Sequence, residues 1–311
     1  MARKWTLYPK RTFYAFVGPW AIGFVLLTAA PMVYGFLVSL TNFDGSSPRW
    51  KWVGLRNYVE LFSDGDAWAA LLRTLAFTAI VVPLSVAGSL GLAVLINGRL
   101  RAVGLWRTIF FLPSVVPVVA MAIMWKLVFN RDSGVLNAIT GLVGIPAISW
   151  LNDPVAIYAL VILMLWGVGG GMVIMLAALQ GVPAELEEAA IVDGAGKWTV
   201  FRHVTVPMVS PVLLFQVVTG VIGALQILVQ PLLLTPASGI AGVGAVPESN
   251  RLYMVQVYQE FFLSNRFGYG SAMLWVFFLI ILALTMVLMR SSRSWVHSEV
   301  DAEAENEGAT R

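Results

Sequence analysis

The sequence contains no cysteine, and only two of its 311 residues are histidines. Without thiols the chain has neither disulfides nor thiolate metal sites. His203 and His297 are too few for a histidine metal cluster, so we expect no bound metal. The same scarcity leaves no cysteine- or histidine-based catalytic set, which disfavours an enzyme.

Charged side chains are also scarce, at 12% of the residues, about half the fraction that is usual in soluble domains. Apolar residues make up 59% of the chain, and the mean hydropathy is +0.80. The net charge of +3 comes from cations scattered at the ends of apolar runs, which is typical of topology determinants. We therefore expect the lipid bilayer as a partner, and no nucleic acid.

Six apolar runs are long enough to cross a bilayer as helices, which takes about 20 residues each. They cover residues 13–40, 69–96, 108–129, 154–179, 208–234 and 268–289. The sequence therefore predicts an all-α polytopic membrane protein whose transmembrane domain covers 13–290. The first run is too long for the apolar part of a cleaved signal peptide.

The cations predict the orientation of these runs. More of the 20 lysines and arginines flank the side that holds both chain ends than the opposite side. We therefore expect residues 1–12 and the acidic tail 291–311 to be cytoplasmic, and the tail to be disordered. The loop at 131–153 would be external, and it either dips toward the membrane or is partly buried.

A glycine cluster in the fourth run does not have the pattern of a nucleotide-binding loop. Its members are Gly167, Gly169, Gly170 and Gly171. No strand precedes them, and Met172 occupies the place of the third glycine in the dinucleotide fingerprint. Close helix packing or a local break explains the cluster better.

A polar stretch at 181–207 separates the fourth and fifth runs. Pro183 suits the first position of a helix, where its missing N–H is not needed. Three carboxylates follow in the first turns, near the positive end of the helix dipole: Glu185, Glu187 and Glu188. Gly194 predicts a break, a second helical piece is expected over about 197–204, and Pro207 is expected to close the stretch. The prediction is two short helices with a bend, lying at the membrane surface.

Three phrases in this stretch resemble the EAA motif of ABC importer permeases. They are Glu188-Ala189-Ala190, Asp193-Gly194-Ala195 and Val204-Thr205-Val206-Pro207, with valines where isoleucine and leucine are commoner. Between the first two runs, Val53-Gly54-Leu55-Arg56-Asn57-Tyr58 is similar to a loop of sugar-importer permeases of the maltose-transporter type. A linker that imitates the EAA motif by chance is the alternative interpretation.

The resemblance to binding-protein-dependent carbohydrate importers implies a set of partners. It implies a second permease in a heterodimer, two cytoplasmic ATPase subunits, and an external solute-binding protein or lipoprotein. The chain itself would be non-catalytic and bind no cofactor, with ATP and Mg on the partner ATPase, and the location would be a bacterial plasma membrane. The docking residues carried over from the motif are Glu185, Glu188, Ala189, Ala190, Asp193, Gly194 and Pro207.

The substrate implied by the resemblance is a sugar or sugar derivative. The loop that begins at Thr235 departs from the family's T-x-G-G-P phrase, which weakens any inference about the substrate from that loop. A permease for glycerol phosphate or a related polar solute is one alternative, and a stand-alone secondary carrier is another. No Asp, Glu, Arg or His lies deep in any predicted span, which disfavours an ion-coupled carrier.

Polar side chains of the fifth run are the candidates for a substrate pathway. At about 100° per residue, four of them fall within an arc of about 80°: Gln216, Thr219, Gln226 and Gln230. Their amides and hydroxyl can form hydrogen bonds with sugar hydroxyls without carrying charge. They can equally hold the fifth span against its neighbours, and the sequence leaves both roles open.

Overall fold

The computed structural model describes residues 10–48, 50–98, 101–236, 245–292 and 294. Regular structure in these ranges is helical, apart from one isolated antiparallel bridge between Thr41 and Trp52. The predicted all-α class is confirmed. Most of the predicted terminal segments, 1–12 and 291–311, lies outside the described residues.

Helices long enough to cross a membrane overlap the predicted apolar runs. Within the described residues, three qualify singly: Arg11–Ser39, Gly65–Asn97 and Phe267–Ser292. Three bent pairs qualify if each is one span, and they are here called the third, fourth and fifth pairs after the runs that they overlap: Val103–Val115 with Val118–Val128, Ala156–Trp166 with Gly169–Gln180, and Lys197–Met208 with Ser210–Leu225. The fifth pair begins and ends earlier than the predicted run 208–234. Length and composition therefore allow up to six spans. The shorter helices are Arg56–Ser63, Val135–Gly141, Ala184–Val192, Val229–Leu233 and Tyr253–Phe262.

The bends have local causes in the sequence. The third pair bends by 100° at Val116 and Pro117, because proline donates no N–H and pushes the preceding residue into an extended conformation. The fourth pair bends by 43° just after Trp166, where Gly167 ends the first helix. The fifth pair bends by 67° at Val209, which Pro207 and Pro211 flank.

Two further glycines of the cluster allow close contact with neighbouring helices. A Cβ atom on Gly169 would lie 1.7 Å from the carbonyl oxygen of Phe110, and one on Gly171 would lie 2.5 Å from Ser89 Oγ. The clash at Gly169 is with backbone, so this position needs glycine, whereas a side chain at Gly171 would require Ser89 to move. The cluster therefore provides both a break and close packing, as small residues commonly do between membrane helices.

The described residues up to Asp64 form one compact unit with Val257–Phe278. Asn57 is buried within it, and its Nδ2 donates to the carbonyl oxygens of Ser39 at 2.7 Å and Thr41 at 2.8 Å. Arg266 pairs with Glu60 and Glu260 in the same unit. Burial raises the pKa of Glu260, and the charge of Arg266 opposes that shift.

The second unit, made of the described residues of Gly65–Gln256 and those from Leu279 onward, contains the larger apolar core. Phe77 and Val81 of the Gly65–Asn97 helix pack with Leu160 and Leu163 of the fourth pair. A second cluster lies toward the Asn97 end of that helix: Ala93, Ile96, Met172, Met175, Leu176, Leu179 and Val209. Inside a bilayer such clusters stabilise the bundle mainly through van der Waals contact, because lipid is as apolar as the side chains.

The 131–153 loop is organised around one side chain. Asn137 Nδ2 donates to the carbonyl oxygens of Arg131 at 3.0 Å and Ile148 at 2.8 Å. Its Oδ1 accepts hydrogen bonds from Trp150 Nε1 at 2.9 Å and from the Ile148 amide at 3.2 Å. Leu142 is 86% exposed at the loop tip.

Asp153 holds the segment that precedes Tyr253. Its carboxylate accepts the backbone N–H groups of Glu248 at 2.6 Å and Ser249 at 2.9 Å. Burial favours the protonated acid, but hydrogen bonds from Ser249 and Glu248 and the charge of Arg251 outweigh it and lower the pKa of Asp153. The carboxylate is therefore ionised at neutral pH and fixes a short 3-10 turn at Glu248–Asn250.

Candidate functional site

The polar stretch forms a hairpin of two helices, with Ala184–Val192 as its first limb, here called the acidic helix. Pro183 stands just before it, with φ −62° and ψ 127°, one position earlier than predicted. Glu185 and Glu187 occupy the first turn, where unpaired backbone N–H groups favour negative charge.

A glycine-dependent turn ends the acidic helix. The Ala195 amide donates to the carbonyl oxygen of Ala190 at 2.9 Å, and the Gly194 amide donates to that of Ile191 at 3.0 Å. These two bonds and a Gly194 φ of +87° form a Schellman motif, which requires the left-handed conformation that glycine adopts without strain. The predicted break at Gly194 is therefore built by the backbone itself.

The second limb, Lys197–Met208, is here called the entry helix because it leads into the helix Ser210–Leu225, which is called the fifth span from here on. It is longer than the predicted 197–204 piece. A π turn at Phe201–Thr205 interrupts the α-helical pattern, and Pro207 lies inside the last turn instead of closing the stretch. Pro207 follows the π turn directly, as the second residue of the short α-helical piece Val206–Met208.

The hairpin exposes most of the predicted docking residues. Exposed members are Glu185, Glu188, Ala189, Asp193 and Gly194, whereas Ala190 and Pro207 are half-buried. Between them stand exposed apolar side chains that the sequence interpretation missed: Leu186, Ile191, Val192 and Trp198. Apolar side chains inside an otherwise polar stretch were the sequence feature that could have identified them.

Glu187 is oriented differently from its two neighbouring carboxylates. It is half-buried, and its Oε1 accepts a hydrogen bond from Thr205 Oγ1 at 2.9 Å. A cavity of about 410 Å³ adjoins this contact, lined also by Asn97, Leu179 and Lys197. The carboxylate therefore faces the inside of the hairpin.

A second cavity, of about 370 Å³, lies between the second, fourth and fifth spans. Ser85 and Ser89 line it from the second span, and Gln216 and Thr219 line it from the fifth. Gln216 is 8% exposed, and its Nε2 donates to the carbonyl oxygen of Gly171 at 2.8 Å. Gln216 thus lines the cavity and also holds two helices together.

The sequence predicted that the four polar residues of the fifth run share one helix face. In the structure they do not. The helix ends at Leu225, and Leu228 has φ −135° and ψ −53°, so the 100° periodicity is lost before Val229–Leu233 begins. Gln226 is exposed, and Gln230 contacts the Sδ atom of Met164 at 3.9 Å. Neither residue lines the cavity that contains Gln216 and Thr219.

Comparison with known proteins gives the family of this chain. A family model described as "Binding-protein-dependent transport system inner membrane component" matches residues 79–297. The chain belongs to this family. The probable ABC transporter permease protein YesP of Bacillus subtilis is 36% identical to it over 93% of each chain. The trehalose/maltose transport system permease protein MalF of Thermococcus litoralis is 31% identical, over 85% of this permease and 87% of the relative.

A solved structure shares the fold of the permease. It is a bacterial alginate ABC transporter in complex with an alginate pentasaccharide-bound periplasmic protein, and the TM-score is 0.78 at 20% identity. The match covers 91% of this permease and 94% of that chain. Together with the apolar helices, these matches confirm the prediction of a multi-pass ABC importer permease.

Proposed function

We propose that this permease is the non-catalytic membrane subunit of an ATP-driven importer for an uncharged sugar or sugar derivative. It pairs with a second, different permease and works with two cytoplasmic ATPase subunits, which hold ATP and Mg, and with an external solute-binding protein or lipoprotein. It lies in a bacterial plasma membrane with both termini in the cytoplasm. The observation that carries the proposal is the exposed hairpin between the fourth and fifth spans.

The hairpin has the features of a docking surface. Glu185 and Glu188 offer charge to a basic partner surface, and the exposed Trp198 and Val192 offer apolar anchors beside them. The Schellman turn at Gly194 fixes the angle between the limbs, so a partner meets a preformed shape. Glu185, Glu188, Ala189, Ala190, Asp193 and Gly194 form the proposed ATPase contact, with Pro207 in the helix that leads into the membrane.

The cavity that contains Gln216 and Thr219 supports a neutral polar substrate. Its polar groups are hydroxyls and an amide, which donate and accept hydrogen bonds without charge. Its volume falls in the range of small-molecule sites, about 300–1,000 Å³. The relative MalF is named for trehalose and maltose. Gln226 and Gln230 lie outside this cavity, and Gln230 contacts Met164 of the fourth pair instead.

The transport cycle follows as a shift between two conformations. ATP closes the ATPase pair, the docked hairpin moves with it as a rigid body, and the spans pass from inward-open to outward-open. Energy enters only through the partner subunits, because the permease provides contact and pathway and does no chemistry.

The test uses the permease tagged and purified from its native membranes. We expect ATPase subunits to co-purify and the assembly in nanodiscs to hydrolyse ATP. Glu188→Lys should abolish co-purification, whereas Asp132→Lys, the same charge reversal at an exposed residue outside the hairpin, should not. Uptake into proteoliposomes is measured with radiolabelled maltose, trehalose and lactose, and with glycerol 3-phosphate. ATP-independent uptake by the permease alone would refute the proposal.

A further inference from the structure

The three carboxylates of the acidic helix divide between two faces. At about 100° per residue, Glu185 and Glu188 lie about 60° apart, whereas Glu187 lies about 100° from Glu188 and about 160° from Glu185. Burial agrees with this geometry, since the first two are exposed and Glu187 is half-buried. Glu187 therefore does not belong to the surface that faces the ATPase in the proposed function.

The partner of Glu187 lies in the other limb of the hairpin. Thr205 is 7% exposed, ends the π turn of the entry helix, and donates its hydroxyl to Glu187 Oε1 at 2.9 Å. A hydrogen bond to a carboxylate is stronger than one between neutral groups, and partial burial strengthens it further. The bond joins two residues that are 18 positions apart in the chain.

The space around this bond is incompletely packed. The cavity of about 410 Å³ is lined by Ile191 of the acidic helix, Val200 of the entry helix, Leu179 of the fourth span and Val94 of the second. This cavity is open to its surroundings, so side chains of the permease do not fill the space beside the bond. The Glu187–Thr205 bond joins the two limbs at the edge of this opening.

Thr205 is also close to the start of the fifth span. Three residues later the entry helix ends at Met208, and after a bend of 67° the helix Ser210–Leu225 begins. That helix carries Gln216, whose side chain lines the cavity between the spans. A displacement of the acidic helix reaches this cavity through Thr205 if the two limbs move together.

We propose that Glu187 is a positioning residue that braces the acidic helix against the entry helix, so that motion of the docking surface is transmitted to the fifth span. This inference rests on the proposed function of the hairpin. The proposed role of Glu187 is separate from docking. Glu187 determines whether the two limbs move together, whereas Glu188 determines whether the ATPase binds.

The first experiment measures the geometry of the permease itself in nanodiscs. Because the chain has no cysteine, Leu186→Cys and Arg202→Cys place one nitroxide label on each limb for double electron–electron resonance. The distance distribution should be narrow in the otherwise unchanged chain and should broaden when Glu187→Ala or Thr205→Val removes one partner. Glu187→Gln and Thr205→Ser keep an acceptor and a donor, and should restore the narrow distribution. Equal widths in all five proteins would overturn the proposal.

The second experiment measures coupling in the transporter purified through the tagged permease. With Glu187→Ala or Thr205→Val, ATPase subunits should still co-purify, but the ATP hydrolysed per sugar imported should rise about tenfold, as expected for losing one charge-assisted hydrogen bond. The double variant should be no worse than either single variant, because both remove the same bond. Unchanged coupling in both single variants, or a Glu187→Gln variant as uncoupled as Glu187→Ala, would contradict the brace. Failure of the proposed function has a different signature, namely no ATPase and no ATP-dependent uptake in the wild type.

Discussion

Replacing Gly194 by alanine should loosen the hairpin turn through backbone strain alone. A Cβ atom at this position meets nothing within 4 Å, so no steric clash contributes. The cost comes from φ of +87°, since a non-glycine residue in the left-handed region loses about 1–2 kcal/mol. Alanine also restricts the unfolded chain, which returns about 0.4–1 kcal/mol. The expected net loss is about 1 kcal/mol, or about a fivefold shift toward the open turn.

Gly196 provides the matched control for this prediction. It also has open space around it, but its φ is −71° and ψ is 160°, a conformation that alanine adopts without strain. Amide hydrogen exchange should therefore accelerate about fivefold over the acidic helix in Gly194→Ala and remain unchanged in Gly196→Ala. Gly194→Asn should fall between them, because asparagine tolerates the left-handed region better than alanine. If the two alanine variants exchange alike, the turn does not depend on the conformation of Gly194.

Three other predictions follow from the same structure. The pKa of Asp153 is lowered, so its hold on the 3-10 turn is complete above the usual carboxyl range and is lost as pH falls from that range through the lowered pKa. Acid slows the intrinsic exchange of amides, so the quantity to measure is the protection factor of the turn amides, which should fall with acid; Asp153→Asn should abolish that dependence. With cytoplasmic termini, a Val192→Cys variant should react with an impermeant maleimide only in opened cells, whereas Leu142→Cys should react in intact cells; the reverse pattern would invert the topology. Gln216→Leu should reduce sugar uptake at least tenfold while the assembly still forms, whereas Gln226→Leu should reduce it less than threefold. The difference corresponds to about 1 kcal/mol, the size of one hydrogen bond to the substrate. Equal losses of uptake would show that the cavity is not the pathway.

Hydropathy predicted long apolar helices because length and apolar composition dominate the insertion of a helix in lipid. Local residues also indicated a break in the glycine cluster, where Gly167 ends a helix. The break after Leu225 had a local signal that the hydropathy pattern hid. Pro231 has no N–H to donate to the carbonyl oxygen of Ile227, and its ring clashes with that carbonyl in a continuous helix. The prediction of one continuous polar face was wrong because it assumed an uninterrupted helix.

The candidate site also has features that the sequence predicted and features that it did not. The Gly194 turn depends on backbone geometry over six residues, so the sequence predicted it directly. The helical period separates Glu187 from Glu185 and Glu188, but the bond between Glu187 and Thr205 depends on how two helices pack, which the local sequence does not give. The length of the entry helix was underestimated because Pro207 was interpreted as a terminator, whereas the helix continues to Met208.

The Asn137 amide determines the shape of the 131–153 loop, because its Nδ2 donates hydrogen bonds and its Oδ1 accepts them. Aspartate has no donors to offer the carbonyl groups of Arg131 and Ile148, and leucine has neither donor nor acceptor. A molecule that recognises the apolar tip at Leu142 would thus meet a surface already rigid before contact, and association would cost little ordering entropy. Without the Asn137 amide, the loop would have to become ordered each time a partner binds.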